Sequence, residues 1–175
     1  KVLPYGKRTY IDKTFTPNLK EAEEIFAIGE KYGTEFFSTS ALRYASELSA
    51  FDCLGKNKVF VISGSGRTFD EYSVHQIEML VKLTNSKCTK VEVKRQNGVN
   101  TLINTVYMEN GDIGNLIYTP SMPFLVSGQD EATPGLAKLI GGGYFDGLIE
   151  DILNLQESRR ALCKFIYVIK ASNRT

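Results

Sequence analysis

The chain is poor in the residues that most often declare a chemistry. It has one histidine, His75, and three widely spaced cysteines, Cys53, Cys88 and Cys163, with no Cys-x-x-Cys pair. Zinc needs three or four clustered ligands, so this inventory argues against a metal site. An odd number of scattered thiols is no disulfide framework and fits a reduced, cytoplasmic setting, with the cysteines as small apolar fillers. Charge of one sign is lacking too. With 21 basic and 20 acidic side chains the net charge is +1, which gives no footprint for nucleic acid and no acidic tail. No apolar run approaches the ~20 residues of a membrane helix. No signal peptide is expected, and the sequence holds no Gly-x-Ser-x-Gly elbow and no Gly-x-x-x-x-Gly-Lys-Ser/Thr loop.

What remains is an ordinary globular composition, 42% hydrophobic and 23% charged over 175 residues, enough for a domain or a domain and a piece. A chain of this size buries about 70% of its unfolded surface and needs no staple. The chain opens Lys1-Val2-Leu3-Pro4-Tyr5-Gly6 without an initiator Met. This reads as the last turn of a helix stopped at Gly6, and the expectation is a fragment.

Arg8–Asp12 predicts a strand. Asn18, three residues before Glu21, has capping-box spacing. Leu19, Ala22, Ile25, Phe26, Gly29 and Tyr32 recur at helical intervals up to Gly33, and Glu35–Thr39 predicts a second strand. The order is strand–helix–strand, a right-handed crossover if the strands are parallel. A short helix is expected over Tyr44–Leu54, a buried strand over Lys58–Ser63 and a largely buried helix over Asp70–Leu83. Val91 and Val93 alternate with Lys90, Glu92 and Lys94, the pattern of a sheet with one wet face. Asn110-Gly111 between Val99–Glu109 and Asp112–Thr119 signals a hairpin. A further strand is expected over Met122–Ser127, a loop over Gln129–Gly143, and helices on the stripes Phe145, Leu148, Ile149, Ile152, Leu153 and Leu162, Phe165, Ile166, Ile169. The expected class is α+β: an open, mostly antiparallel sheet with helices on one face, preceded by a terminal βαβ piece of a Rossmann fold.

Several residues could carry chemistry. His75 has Glu71 one turn earlier on its helix, and a carboxylate there could orient an imidazole acting as acid or base. A packed, hydrogen-bonded histidine is the other reading. Lys13 follows a strand directly, where open α/β sheets bind ligands, and could stabilise an alkoxide; it could equally be a solvated loop lysine. Arg43-Tyr44 follows the next strand and could bind an oxygen-rich ligand, or simply begin a helix. Gly64-Ser65-Gly66 tempts a phosphate-loop reading, but Phe69 stands where a third glycine is needed, so a turn at the lip of a pocket is the better expectation.

Three stretches, taken together, resemble the Gfo/Idh/MocA family of glucose–fructose oxidoreductase and inositol dehydrogenase relatives. Tyr10-Ile11-Asp12-Lys13-Thr14-Phe15 is similar to the family's Glu-Lys-Pro motif, with Thr14 in place of the proline. Phe37-Ser38-Thr39-Ser40-Ala41-Leu42-Arg43-Tyr44 is similar to the strand and Arg-aromatic turn that leave its nucleotide domain. Glu71-Tyr72-Ser73-Val74-His75 resembles its Asp-x-x-x-His helix. The resemblance implies that residues 1–40 end a dinucleotide-binding domain and that residues 41–175 form a substrate-binding and oligomerisation domain. It implies an NAD- or NADP-dependent oxidation of a sugar or polyol hydroxyl. His75 would be the acid/base, Lys13 the lysine beside nicotinamide and reacting hydroxyl, and Glu71 the carboxylate that orients the imidazole. Arg43, Tyr44 and Tyr72 would line the substrate cleft. The alternative is a non-catalytic ligand-binding or dimerisation protein on the same fold, its outer sheet face forming a homo-oligomer.

Overall fold

A computed structural model describes residues 1–16, 18–95 and 98–154. The opening residues form a 3-10 turn, Leu3–Tyr5, stopped by Gly6 in the left-handed region at φ 63°. Strand β1 (Thr9–Tyr10), helix α1 (Leu19–Tyr32) and strand β2 (Phe36–Phe37) follow. The two strands are parallel, Thr9 opposite Phe36 and Tyr10 opposite Phe37, so α1 is the crossover the pattern predicts. Asn18 Oδ1 accepts the Glu21 amide at 3.0 Å, and Asn18 Nδ2 donates to the Glu21 carboxylate at 2.9 Å. The box is therefore closed side chain to side chain. Gly29 lets the Phe36 ring lie against α1, where a Cβ would overlap it. Phe15, Phe26 and Phe36 make an aromatic cluster over Ala22.

The remaining described chain builds a six-stranded sheet in the order β4-β5-β6-β3-β7-β8. Its strands are β3 (Val59–Gly64), β4 (Cys88–Arg95), β5 (Leu102–Met108), β6 (Ile113–Tyr118), β7 (Leu125–Gln129) and β8 (Leu136–Leu139). Every neighbouring pair is antiparallel except β3 and β6. Helix α2 (Phe69–Thr84) enters after β3 and packs on one face of the sheet. That face carries Phe60, Ile62, Leu102, Val106, Leu116 and Val126, which meet Val74, Ile77 and Leu80 of α2 in one core. Each aliphatic side chain removed from water there contributes about 1.5–3 kcal/mol. Gly114 makes room for Leu80 on β6. On the opposite face Val61 and Ile103 are exposed, and Ile117 and Leu125 are half-buried.

Four expectations need correction. Residues 44–54 do not form an α-helix; Ala41–Tyr44 and Ser46–Phe51 are 3-10 segments separated by the extended Ala45. The expected loop over Gln129–Gly143 contains β8, whose Leu136 and Ala137 pair with Gly128 and Ser127. Cys53 is exposed and not a filler, while Cys88 is half-buried; both are free thiols. The strand expected over Met122–Ser127 begins later, at Leu125, because Pro123 cannot join the ladder. Helix α3 (Tyr144–Asn154) follows, with Leu148 buried but Phe145, Ile149 and Leu153 exposed. Cys163 and the stripe Leu162, Phe165, Ile166 and Ile169 lie outside the described residues. Among the described residues no helix is long and apolar enough to cross a membrane.

Candidate active site

Parallel strands end on the same edge, so β1 and β2 deliver Asp12-Lys13 and Ser38-Thr39-Ser40 side by side. The N-terminal turns of α2 complete the neighbourhood. Thr68 caps that helix by accepting the Glu71 amide at 3.3 Å, and Tyr72 and His75 follow one turn apart.

The Lys13 ammonium lies over the Tyr72 ring, 4.7 Å from its centroid. That is cation–π distance, and the ring quadrupole holds the charge in place. The Lys13–Thr14 peptide is cis. Tyr72 in turn stands edge-to-face against His75, with centroids 5.7 Å apart, and Phe124 stands edge-to-face on His75 at 5.4 Å. The two glycines of Gly64-Ser65-Gly66 explain how the rings fit. A Cβ on Gly66 would fall inside the Tyr72 ring, and one on Gly64 would strike Phe124. Their space is filled by aromatic side chains, and Tyr118 Oη donates to the Gly66 carbonyl at 2.8 Å. These glycines thus serve packing at the lip of the site, and the phosphate-loop reading has no support from them.

His75 is 7% exposed. Its Nδ1 lies 2.6 Å from Ser40 Oγ. Burial draws the imidazole pKa down from 6.5 to about 4; the Lys13 charge adds to the depression and Asp12 opposes it. The ring is therefore a neutral imidazole at pH 7. Lys13 also lowers the Glu71 carboxyl, after the larger effect of Arg67. Lys13, Tyr72, Glu71 and His75 are thus brought into one neighbourhood.

The role expected of Glu71 needs correction. Its carboxylate accepts from Arg67 Nε at 2.9 Å and Arg67 Nη2 at 2.5 Å, an i,i+4 pair on the solvent side of α2. The imidazole is held by Ser40 instead. A glutamate one turn before a histidine shares its face, yet an arginine on the preceding loop captures it.

Arg43 and Tyr44 are engaged deeper in. Arg43 Nη1 is 3.5 Å from Glu78 Oε2, and Thr39 Oγ1 donates to the same oxygen at 2.9 Å. Glu78 is 0% exposed. Tyr44 Oη donates to Asp151 at 2.5 Å, and its ring rests on Gly147 of α3. The Tyr10 hydroxyl is shared between Asp12 Oδ1 at 3.0 Å and the Thr39 carbonyl at 3.1 Å. Burial, then Asp12, raise its pKa. Sequence reasoning missed Ser40, Thr39, Tyr10, Glu78 and Phe124. The one available signal was the polar run Ser38-Thr39-Ser40 at the end of an apolar strand. Among the described residues no group of three or more His, Cys, Asp or Glu could hold a metal ion.

No protein-family model matches the sequence, and no curated protein matches it. Solved structures do match in fold. A probable dehydrogenase from Thermotoga maritima superposes with a TM-score of 0.77 at 10% identity, over 97% of this chain and 72% of that one. The aldose-aldose oxidoreductase from Caulobacter crescentus, complexed with glycerol, gives 0.72 at 14% identity, over 98% and 70%. The WlbA dehydrogenase from Bordetella pertussis, in complex with NADH and UDP-GlcNAcA, gives 0.71 at 13% identity, over 99% and 71%. The chain shares its fold with these dehydrogenase and oxidoreductase structures along nearly its whole length.

Proposed function

We propose that this chain is the substrate-handling and catalytic part of an NAD- or NADP-dependent oxidoreductase acting on a CH–OH group of a sugar, polyol or related compound. The observation that carries the reading is the meeting of the Lys13 ammonium, the Tyr72 ring and the buried His75 imidazole at the ends of β1 and β2. Support also comes from the dehydrogenases that share the fold, one of them complexed with NADH and a nucleotide sugar acid, another with glycerol.

The described residues fit the ring end of such a cofactor. Lys13, at the carboxyl end of β1, would border the nicotinamide. The pyrophosphate would need a strand–glycine turn–helix, and the turn before α1 in the described residues is Thr16 and Asn18, without glycine. A bound nicotinamide would supply the hydride acceptor. The chain's own groups do the rest. His75, neutral at pH 7, takes the hydroxyl proton, a role contributing on the order of 10²–10⁴ in rate. Lys13 stabilises the alkoxide that develops, and Tyr72 holds the ammonium in register. Arg43 and Tyr44, braced by Glu78 and Asp151, shape the substrate side of the cleft.

In this reading residues 1–40 close a dinucleotide-binding domain and residues 41–175 form the substrate domain. The sheet face left open among the described residues, with Val61 and Ile103 exposed and Ile117 and Leu125 half-buried, supports homo-oligomerisation through that surface. The free Cys53 and Cys88 suit a cytoplasmic setting. The test is a panel of sugars and polyols with NAD and NADP, using the intact natural protein and its His75→Ala variant. Turnover should fall 10²–10⁴-fold with the fold retained. Equal turnover in the variant would remove His75 from the chemistry, and no turnover of any of these compounds by the natural protein would leave the binding-protein alternative.

A further inference from the structure

Ser40 is fully buried at the end of β2. Its Oγ accepts the Leu42 amide at 3.1 Å, closing the turn into the 3-10 segment, and lies 2.6 Å from His75 Nδ1. The Leu42 N–H can only donate. The ring nitrogen is therefore the one acceptor that the Ser40 hydroxyl proton reaches among the described residues. If Nδ1 carried a proton instead, Ser40 Oγ would accept twice and its own hydrogen would be buried without an acceptor, the arrangement folded proteins avoid. Every charged group around the ring is otherwise committed. Lys13 sits on Tyr72 and disfavours a further positive charge. Glu71 is held by Arg67, and Glu78 by Arg43 and Thr39. Asp12 shares the Tyr10 hydroxyl. Phe124 and Tyr72 both pack against the imidazole in edge-to-face geometry. A neutral ring that accepts at Nδ1 carries its proton on Nε2.

We propose that Ser40 is a positioning residue that fixes His75 as the neutral Nε2–H tautomer, so that the imidazole meets a substrate oxygen as a hydrogen-bond donor beside the Lys13 ammonium. Two donors suit an oxygen that only accepts, so the resting site is matched to the carbonyl form of the substrate. To take a hydroxyl proton the ring must first exchange its Nε2 proton with solvent and gain one on Nδ1. Ser40 then turns from donor to acceptor, with no net change in charge. Ser40 thereby separates the state that binds ketone or aldehyde from the state that deprotonates an alcohol. What the donor does rests on the oxidoreductase reading; the tautomer rests on the Ser40–His75 contact alone.

Because His75 is the sole histidine, a long-range proton–nitrogen-15 imidazole spectrum of the full chain reports one ring without assignment. At pH 7 the wild type should show Nε2 protonated and Nδ1 unprotonated, with the Nδ1 resonance moved upfield by the hydrogen bond it accepts. Ser40→Ala should move Nδ1 downfield toward a free ring nitrogen, and Ser40→Thr, which keeps the hydroxyl, should restore it. A wild-type ring protonated on Nδ1 would overturn the proposal even if no variant folds. So would an Nδ1 resonance unmoved in Ser40→Ala. The His75→Ala turnover test bears only on the oxidoreductase reading, so the two failures are separable.

Discussion

Helix α2 carries two arginine–glutamate pairs, and they behave as opposites. At its first turn Glu71 meets Arg67 at the surface, where Arg67 is largely in water. Two turns later Glu78 meets Arg43 with the carboxylate wholly buried and Thr39 donating to the same oxygen. In the sequence Glu71 has the functional position, one turn from the histidine, whereas Glu78 reads as an ordinary glutamate in a helix. The structure reverses their importance. Exposed pairs gain little because water already solvates both partners. A buried pair, once formed, cannot lose one member without stranding the other. Position on a helix face nominates a carboxylate; the depth of the face decides what it does.

The comparison can be broken most directly at Glu78. Glu78→Ala should destabilise the protein by about 3–5 kcal/mol in urea unfolding, because Arg43 is left partly buried beside a cavity. A smaller effect comes from pH. His75 binds its proton at about 4 when folded and near 6.5 when unfolded. Its contribution is therefore fully present above pH 6.5 and lost as pH falls through 4, a difference of about 3 kcal/mol. Carboxylates titrate in the same range, so the measure is the change in stability between pH 7 and 4 in wild type minus that in His75→Gln. Smaller again is Gly66→Ala, which drives a methyl into the Tyr72 ring and should cost about 1–3 kcal/mol. The same substitution should displace the His75 imidazole resonances, since the two rings touch. Smallest is Glu71→Ala, for which the unfolding midpoint should be unchanged. If Glu71→Ala proved as damaging as Glu78→Ala, burial would not be what separates the two pairs.

Local signals are legible in the sequence and distant ones are not. The Asn18–Glu21 cap, the Gly33 stop and the Asn110-Gly111 connection depend on residues three or four apart, and each forms. Gly111 takes the left-handed conformation, at φ 90°. The βαβ order follows from the same kind of pattern. The run Leu136–Leu139 is silent because the five residues between Gly135 and Gly141 carry no readable period, and only pairing with β7 makes a strand there. The 3-10 segment Ala41–Tyr44 opens on a Ser40 cap, which an apolar count does not reveal. The stripe on α3 is helical as its spacing predicts, yet Phe145, Ile149 and Leu153 are exposed, because periodicity gives a face and not its partner. Lys13 and His75 stand in separate motifs, and each is visible on its own. Their neighbour Ser40, 35 residues from His75, can be found only once β2 and α2 are placed together.

Strand β3 has a consequence for anyone who alters this protein. Its residues Phe60 and Ile62 support the helix that bears His75, while Val61 between them is exposed on the opposite face. One ribbon of backbone is all that lies between them. A substitution at Val61 therefore acts on the same backbone that carries Phe60 and Ile62, and through their packing it reaches the helix that holds His75.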